Sequence, residues 1–176
     1  KFLEAFDALS NVPLEDPDHG LRAGYYWAFC CYRLKRYGEA LKIWEAIALK
    51  DDDYSSSSVR RIAIMAGRIS TEKVLHVLEE IAGSSGGDVR LTALYYLSTL
   101  LKGEKSRHYE ESVLKEYPSS TYATRLLWNS GWDQWKKKNY QKALSSWRKA
   151  LKPGIEGEWH ARLLYWIART EEELEN

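Results

Sequence analysis

Six of the eight tryptophans of this chain fall in its last third: Trp128, Trp132, Trp135, Trp147, Trp159 and Trp166. Trp128, Trp132 and Trp135 are spaced i, i+4, i+7, which sets them along one face of one helix. Such a stripe has two readings. It is the core of the last helical hairpins, or part of it lines a concave groove and stacks on sugar rings. In the second reading Asp133 and Gln134 supply neighbouring hydrogen bonds. Cys30 and Cys31 are adjacent in an apolar helical stretch, about 100° apart around the axis. That geometry disfavours a bridge between them and fits two small buried hydrophobes. A metal or redox role would need partners at C-x-x-C spacing, and none follow. His76 with Glu80 and His108 with Glu111 could each meet on a helix face. Neither pair completes a ligand set, since H-E-x-x-H is absent, and His19 and His160 stand apart. No metal and no cofactor is expected. Gly83 to Gly87 is not followed by Lys-Ser or Lys-Thr, so it reads as a turn rather than a phosphate loop. Lys136-Lys137-Lys138 suits a helix C-terminus, where the dipole favours cations. Glu171-Glu172-Glu173 reads as a solvated face.

The elements that would position these residues are helical. The 176 residues are 44% hydrophobic and 29% charged, with only 11 Gly and 4 Pro. That balance excludes a disordered chain and favours helix throughout. No run of about 18 apolar residues occurs, so no membrane span is expected in this segment. Twenty-six basic against 25 acidic residues give a net charge of +1, without the basic excess of a nucleic-acid binder. Lys1 runs directly into helical sequence, with no signal peptide in front. The segment therefore reads as a piece of a longer chain, one helical domain over 1–176.

Helical periodicity is broken by short polar seams. Asp16-Pro17 reads as a cap opening a helix to about Leu34, with a return helix through about Leu49. Asp51 to Ser55 is a seam, and Ser55 to Ser58 cap the next helix, through Ile62, Ile64 and Met65. Ser70 caps another, with Ile69 and Val74 as a hydrophobic staple. Gly83 to Gly87 is the loosest seam. Leu91, Leu94, Tyr95, Leu97 and Leu101 form the following apolar face, and Gly103 turns into a helix ending before Pro118. Ser119 or Ser120 caps a long helix to about Lys137, Asn139 another to about Leu151, and Gly157 opens the last. Hairpins then begin near 17–20, 55, 87, 119 and 157, spaced by roughly the 34 residues of tetratricopeptide-like helix pairs. Two units repeat more openly. Trp27-Ala28, Tyr37-Gly38-Glu39-Ala40 and Trp44 parallel Ser130-Gly131, Tyr140-Gln141-Lys142-Ala143 and Trp147. Ala40 and Ala143 lie 103 residues apart, close to three periods of about 34. The expected fold is all-α, a degenerate right-handed α-solenoid of about five such hairpins.

One stretch is more specific. Pro118-Ser119-Ser120-Thr121-Tyr122-Ala123 leads to Leu127-Trp128-Asn129-Ser130-Gly131-Trp132. Tyr140, Ala143 and Trp147 follow, and then Ala161 to Arg169 with Tyr165-Trp166-Ile167-Ala168-Arg169. Over about 118 to 170 this resembles the helical superhelix that precedes the lysozyme-like domain of soluble lytic murein transglycosylases. Tyr25-Tyr26-Trp27-Ala28 resembles an earlier copy of the last element. The resemblance implies a periplasmic or envelope setting and a non-catalytic scaffold, with peptidoglycan glycan strands and its own catalytic domain as partners. Trp128, Trp132 and Trp135 are then the candidate glycan-stacking residues. In that family the chemistry rests on one acid of a Glu-Ser pair, followed by Gly-Leu-Met-Gln. Glu111-Ser112 does not qualify, because no such stretch follows and the pair lies inside a helical repeat. No catalytic residue is assigned. The alternative is a tetratricopeptide-like module in envelope assembly that holds a protein partner in its groove. The two unpaired cysteines speak for a third possibility, a cytoplasmic repeat scaffold.

Overall fold

A computed structural model describes residues 1–50, 52–152 and 155–175 of the chain. Low glycine and proline content leaves little to interrupt helices, and ten α-helices with no strand form among the described residues. They are α1 (Phe2–Leu9), α2 (Gly20–Arg33), α3 (Tyr37–Ala48), α4 (Ser55–Ile64), α5 (Thr71–Ser84) and α6 (Gly87–Leu100). A 3-10 turn, Met65–Gly67, follows α4. Then come α7 (Gly103–Glu116), α8 (Thr121–Lys136), α9 (Tyr140–Ala150) and α10 (Gly157–Glu175). The chain forms two compact units, Lys1–Tyr109 and Glu110–Asn176, with α7 spanning the boundary.

Within the first unit, α2 packs on α1 and α3, α3 on α4, and α6 on both α4 and α5. Its core includes Leu41, Trp44, Ile47, Ile62, Leu78 and Leu97, all fully buried. Within the second unit, α9 packs between α8 and α10. Ala143, Leu144, Trp147, Leu163 and Ile167 form the centre there. Along most of these helices the buried positions recur at helical spacing, so one stripe leaves water while the charged face stays solvated, whereas α1 buries no residue and α7 only Val113.

Most seams fall where the polar clusters set them. Ser120 caps α8, its Oγ accepting the Ala123 N–H at 3.1 Å. Gly103 and Gly157 open α7 and α10 with φ of 66° and 65°, a conformation that favours glycine. Ser55, the first residue of α4, donates its hydroxyl to the Ile47 carbonyl at 2.9 Å and so ties the seam to α3. Asp51 of that seam lies outside the described residues.

Two boundaries differ from expectation. The Asp16 carboxylate accepts the N–H groups of Asp18 and His19 at 3.1 and 2.7 Å. It therefore caps a turn over 16–19, and α2 begins only at Gly20. A Cβ at Gly20 would approach the Leu14 carbonyl oxygen to 2.5 Å, so this close passage needs glycine. The Gly83–Gly87 seam is also shorter than expected. Gly83 and Ser84 continue α5, and Ser85 and Gly86 alone separate it from α6. Ser70 flanks α5 without a side-chain cap bond.

The turns after α2 and α8 are built alike. Lys35 and Lys138 both take left-handed φ, 63° and 59°. In the first turn Lys35 N–H bonds the Tyr32 carbonyl at 3.1 Å and Arg36 N–H the Cys31 carbonyl at 2.8 Å. In the second, Lys138 bonds Trp135 at 2.8 Å and Asn139 bonds Gln134 at 2.9 Å. This is the Schellman pattern that closes a helix, normally with glycine at the left-handed position. A lysine there bears a steric cost of about 1–2 kcal/mol. Glycine would remove it while adding about 0.4–1 kcal/mol of unfolded-state entropy. Lys35→Gly and Lys138→Gly are therefore expected to raise stability by about 0.5–1 kcal/mol each in urea titrations. A lower midpoint in both variants would contradict the turn geometry.

Candidate functional site

The tryptophans of the second unit converge on one side chain, Trp147. Its position on α9, four residues after Ala143, aims it at α8, where Gly131 leaves room for an indole. A Cβ built on Gly131 would collide with the Trp147 ring, so the two helices approach through a missing side chain. Trp147 is fully buried, and its Nε1 donates to the Trp128 carbonyl at 3.2 Å. Burying a ring of 150–250 Å² removes at most about 4–6 kcal/mol of unfavourable hydration.

Around it stand Trp128, Trp132 and Trp166, with ring centroids at 5.8, 5.9 and 6.1 Å. Trp132 meets Trp166 edge-on at 4.4 Å, and Trp135 meets Trp166 at 5.5 Å. Trp159 closes the end against Trp128 at 5.7 Å. The tilted and T-shaped angles bring positive ring edges onto negative ring faces, each such pair contributing about 0.5–1.5 kcal/mol beyond area. The structure thus brings the candidate residues Trp128, Trp132 and Trp135 together with three other indoles. All three are half-buried and keep part of their surface toward solvent. Of their polar neighbours, Gln134 is occupied, its Oε1 accepting the Asn139 side-chain amide at 3.0 Å. Asp133 is exposed and lies 3.9 Å from Lys136.

The first unit repeats this arrangement with fewer indoles. Trp44, 103 residues before Trp147, is 1% exposed. Tyr25 and Tyr32 take the places of Trp128 and Trp135, with centroids 6.5 and 6.1 Å from Trp44. Tyr32 meets Tyr37 at 5.5 Å as Trp135 meets Tyr140 at 6.0 Å. Ala28 stands in the place of Gly131 and is fully buried. The Nε1 atoms of Trp27, Trp44 and Trp135 are buried without a hydrogen-bond partner, a cost of about 1–3 kcal/mol each. Shape, more than polarity, holds these rings.

Other candidates are dispersed. No group of three or more His, Cys, Asp or Glu side chains that could hold a metal forms among the described residues. Glu111 is exposed in the middle of α7 and Ser112 half-buried beside it, without the shielded cleft that a lone general acid requires. A shallow hollow of about 310 Å³ lies beside the 16–19 turn, lined by Asp16, Asp18, His19, Arg22, Asp52 and Tyr54 among others. The Asp16 and Asp52 carboxylates there are engaged by backbone N–H groups of their own turns. No described helix is long and apolar enough to cross a membrane.

Periodicity alone could not locate one feature, the outward stripe of α10. Ala161, Leu164, Tyr165 and Ala168 lie at i, i+3, i+4, i+7 and are all exposed, Leu164 at 45% and Tyr165 at 62%. The signal available in the sequence was the match of Tyr25-Tyr26-Trp27-Ala28 to Tyr165-Trp166-Ile167-Ala168. Comparison with protein-family models, curated proteins and solved structures finds no match to this chain.

Cys30 and Cys31 are both buried and unbridged. Burial pushes both thiols up, Cys31 to about 11, with the nearby Glu39 carboxylate as the second cause for Cys31. The thiolate is the reactive form, so folding suppresses its chemistry. Because the Cys31 pKa is raised on folding, its stabilising effect is complete below pH 9 and is lost as pH climbs toward 11. At pH 8 the folded protein is expected to leave both thiols unmodified by a disulfide reagent, and to titrate two in denaturant. Rapid modification of either thiol in the folded protein would contradict their burial.

Proposed function

We propose that this chain is a non-catalytic helical scaffold whose hairpins wind as a right-handed α-solenoid of tetratricopeptide-like pairs. In this reading it supports the catalytic domain of a peptidoglycan lytic transglycosylase in the periplasm or cell envelope. The observation that carries the scaffold role is the hairpin repeated at a spacing of 103 residues, Ala40 and Trp44 on α3 against α2 and Ala143 and Trp147 on α9 against α8. The resemblance over 118–170 supports the transglycosylase setting. Its residues have architectural work in this fold: Ser120 caps α8, Gly131 admits Trp147, and Trp166 joins the indole cluster. The mechanism is geometric. A stack of hairpins positions a catalytic domain and offers glycan strands an aromatic margin at Trp128, Trp132 and Trp135.

The 176-residue protein is accordingly expected to release no 1,6-anhydro-muropeptides from purified sacculi, as read by mass spectrometry. Release of such products would overturn the non-catalytic assignment. Trp132→Ala is expected to reduce co-sedimentation with sacculi several-fold while the helical circular dichroism stays unchanged. Equal sedimentation of variant and parent would remove the glycan role of this ring, and lost helicity would assign it to the core alone.

A second reading is a module that holds a protein partner in envelope assembly. The exposed α10 stripe favours it, since Leu164 and Tyr165 offer apolar surface to a polypeptide.

A further inference from the structure

Three helices carry the same face in the same register. On α2 it is Gly24, Tyr25 and Ala28; on α8 it is Leu127, Trp128 and Gly131; on α10 it is Leu164, Tyr165 and Ala168. Each is an apolar residue, an aromatic one, and a small one three positions on. The opposite faces correspond as well. Ala23, Trp27 and Cys30 of α2 match Leu163, Ile167 and Thr170 of α10. Trp27 of that face meets Phe6 of the preceding helix α1, with ring centroids at 6.0 Å. Leu163 and Ile167 join the core residues of α9, the helix preceding α10.

The difference lies on the first face. On α2 it is covered by α3 and by Leu14 of the preceding loop, with Tyr25 beside Trp44 and a Cβ at Gly24 meeting first the Leu14 side chain and then the Ile47 Cδ1 at 3.4 Å. On α8 it is covered by α9, with Trp128 and Gly131 against Trp147. On α10 the same positions are exposed to solvent. We infer that the Leu164–Tyr165–Ala168 face of α10 is a docking surface for a basic amphipathic helix of a partner protein, bearing a small residue and an aromatic one four positions apart.

The shape requirement comes from the two covering helices, which share Ala40 with Trp44 and Ala143 with Trp147. The charge requirement comes from α10 itself, where Glu158, Glu171, Glu172, Glu173 and Glu175 outnumber Arg162, which pairs with Glu158, and Arg169, which pairs with Glu172 and Glu173. Four of the five glutamates crowd its last turns. Basic side chains on a covering helix are complementary to them. The helix α9 already has this character, with Lys142, Arg148 and Lys149 and no acidic residue. The α9–α10 contact includes one such ion pair, Arg148 with Glu171. This inference stands on the internal repeat and holds whichever of the two roles the chain serves.

The test uses the whole 176-residue protein, isotopically labelled, and an unlabelled synthetic peptide with the sequence of residues 139–151. Saturable amide shifts confined to α10 around residues 161–172 are expected. They should weaken at least about tenfold with the Leu164→Ser/Tyr165→Ser variant, which preserves charge and substitutes only exposed positions. A peptide carrying Ala143→Gln and Trp147→Ser should lose affinity similarly, and binding should fall as salt rises from about 50 to about 300 mM. Absence of shifts, shifts centred on other helices, or binding indifferent to both sets of substitutions would overturn the inference. So would concentration-dependent broadening of the stripe without peptide, which would assign the face to a second copy of the chain.

Discussion

The interaction on which the hairpins depend is an indole seated where the facing helix has no side chain. Gly131 lets α8 and α9 close until the Trp147 ring lies against the backbone, and the carbonyl of Trp128 then accepts the Trp147 N–H. Ala28 and Trp44 occupy the corresponding positions of α2 and α3, both withdrawn from water, but Ala28 keeps its methyl and the Trp44 Nε1 has no hydrogen-bond partner. A helix pair brought this close forms a shallow, well-filled contact, and the aromatic residues flanking it are drawn into edge-to-face order. The left-handed lysines at 35 and 138 serve the same end. They turn the chain sharply enough for the second helix to return along the first.

This construction gives each first helix an apolar face for the helix after it, and α2 and α10 carry a second one that meets the helix before them. α2 and α8 spend the face for the following helix on α3 and α9, respectively, inside their own units. α10 spends only one, on α9, and its other face stays in water. The same geometry that stabilises a repeat therefore leaves an apolar face exposed where no following helix covers it. The thiols are buried and raised, Glu111 is exposed, and the indoles are engaged with one another.

Much of the architecture was legible in the residues. Ser120, Gly103 and Gly157 mark helix starts because a cap or a left-handed φ is needed there, and the Ala40–Trp44 and Ala143–Trp147 spacings revealed the repeat. Other features depended on tertiary contacts that no local pattern encodes. Asp16 looked like a helix cap, yet its carboxylate was taken by a turn that brings Gly20 under the Leu14 carbonyl. Gly83 looked like a break, yet α5 continued through it to Ser84. Lysine at the two left-handed positions gave no glycine signal. The tryptophan stripe falls on one face of α8 by its spacing, but the rings that meet it, Trp147 and Trp166, come from α9 and α10 through tertiary packing. The exposure of Tyr165 was likewise invisible, because its sequence matches that of helices whose equivalent faces are covered.

A double-mutant cycle between Gly131 and Trp147 addresses the central contact most directly. If the indole fills the space left by the missing side chain, Gly131→Ala should destabilise the protein by about 1–3 kcal/mol through overpacking. In the background of Trp147→Leu, whose smaller side chain leaves that space open, the same change should cost little. The coupling energy would then reach about 1 kcal/mol or more. Equal effects of Gly131→Ala in both backgrounds would show that the two residues do not share a contact and would contradict the account of how these hairpins close.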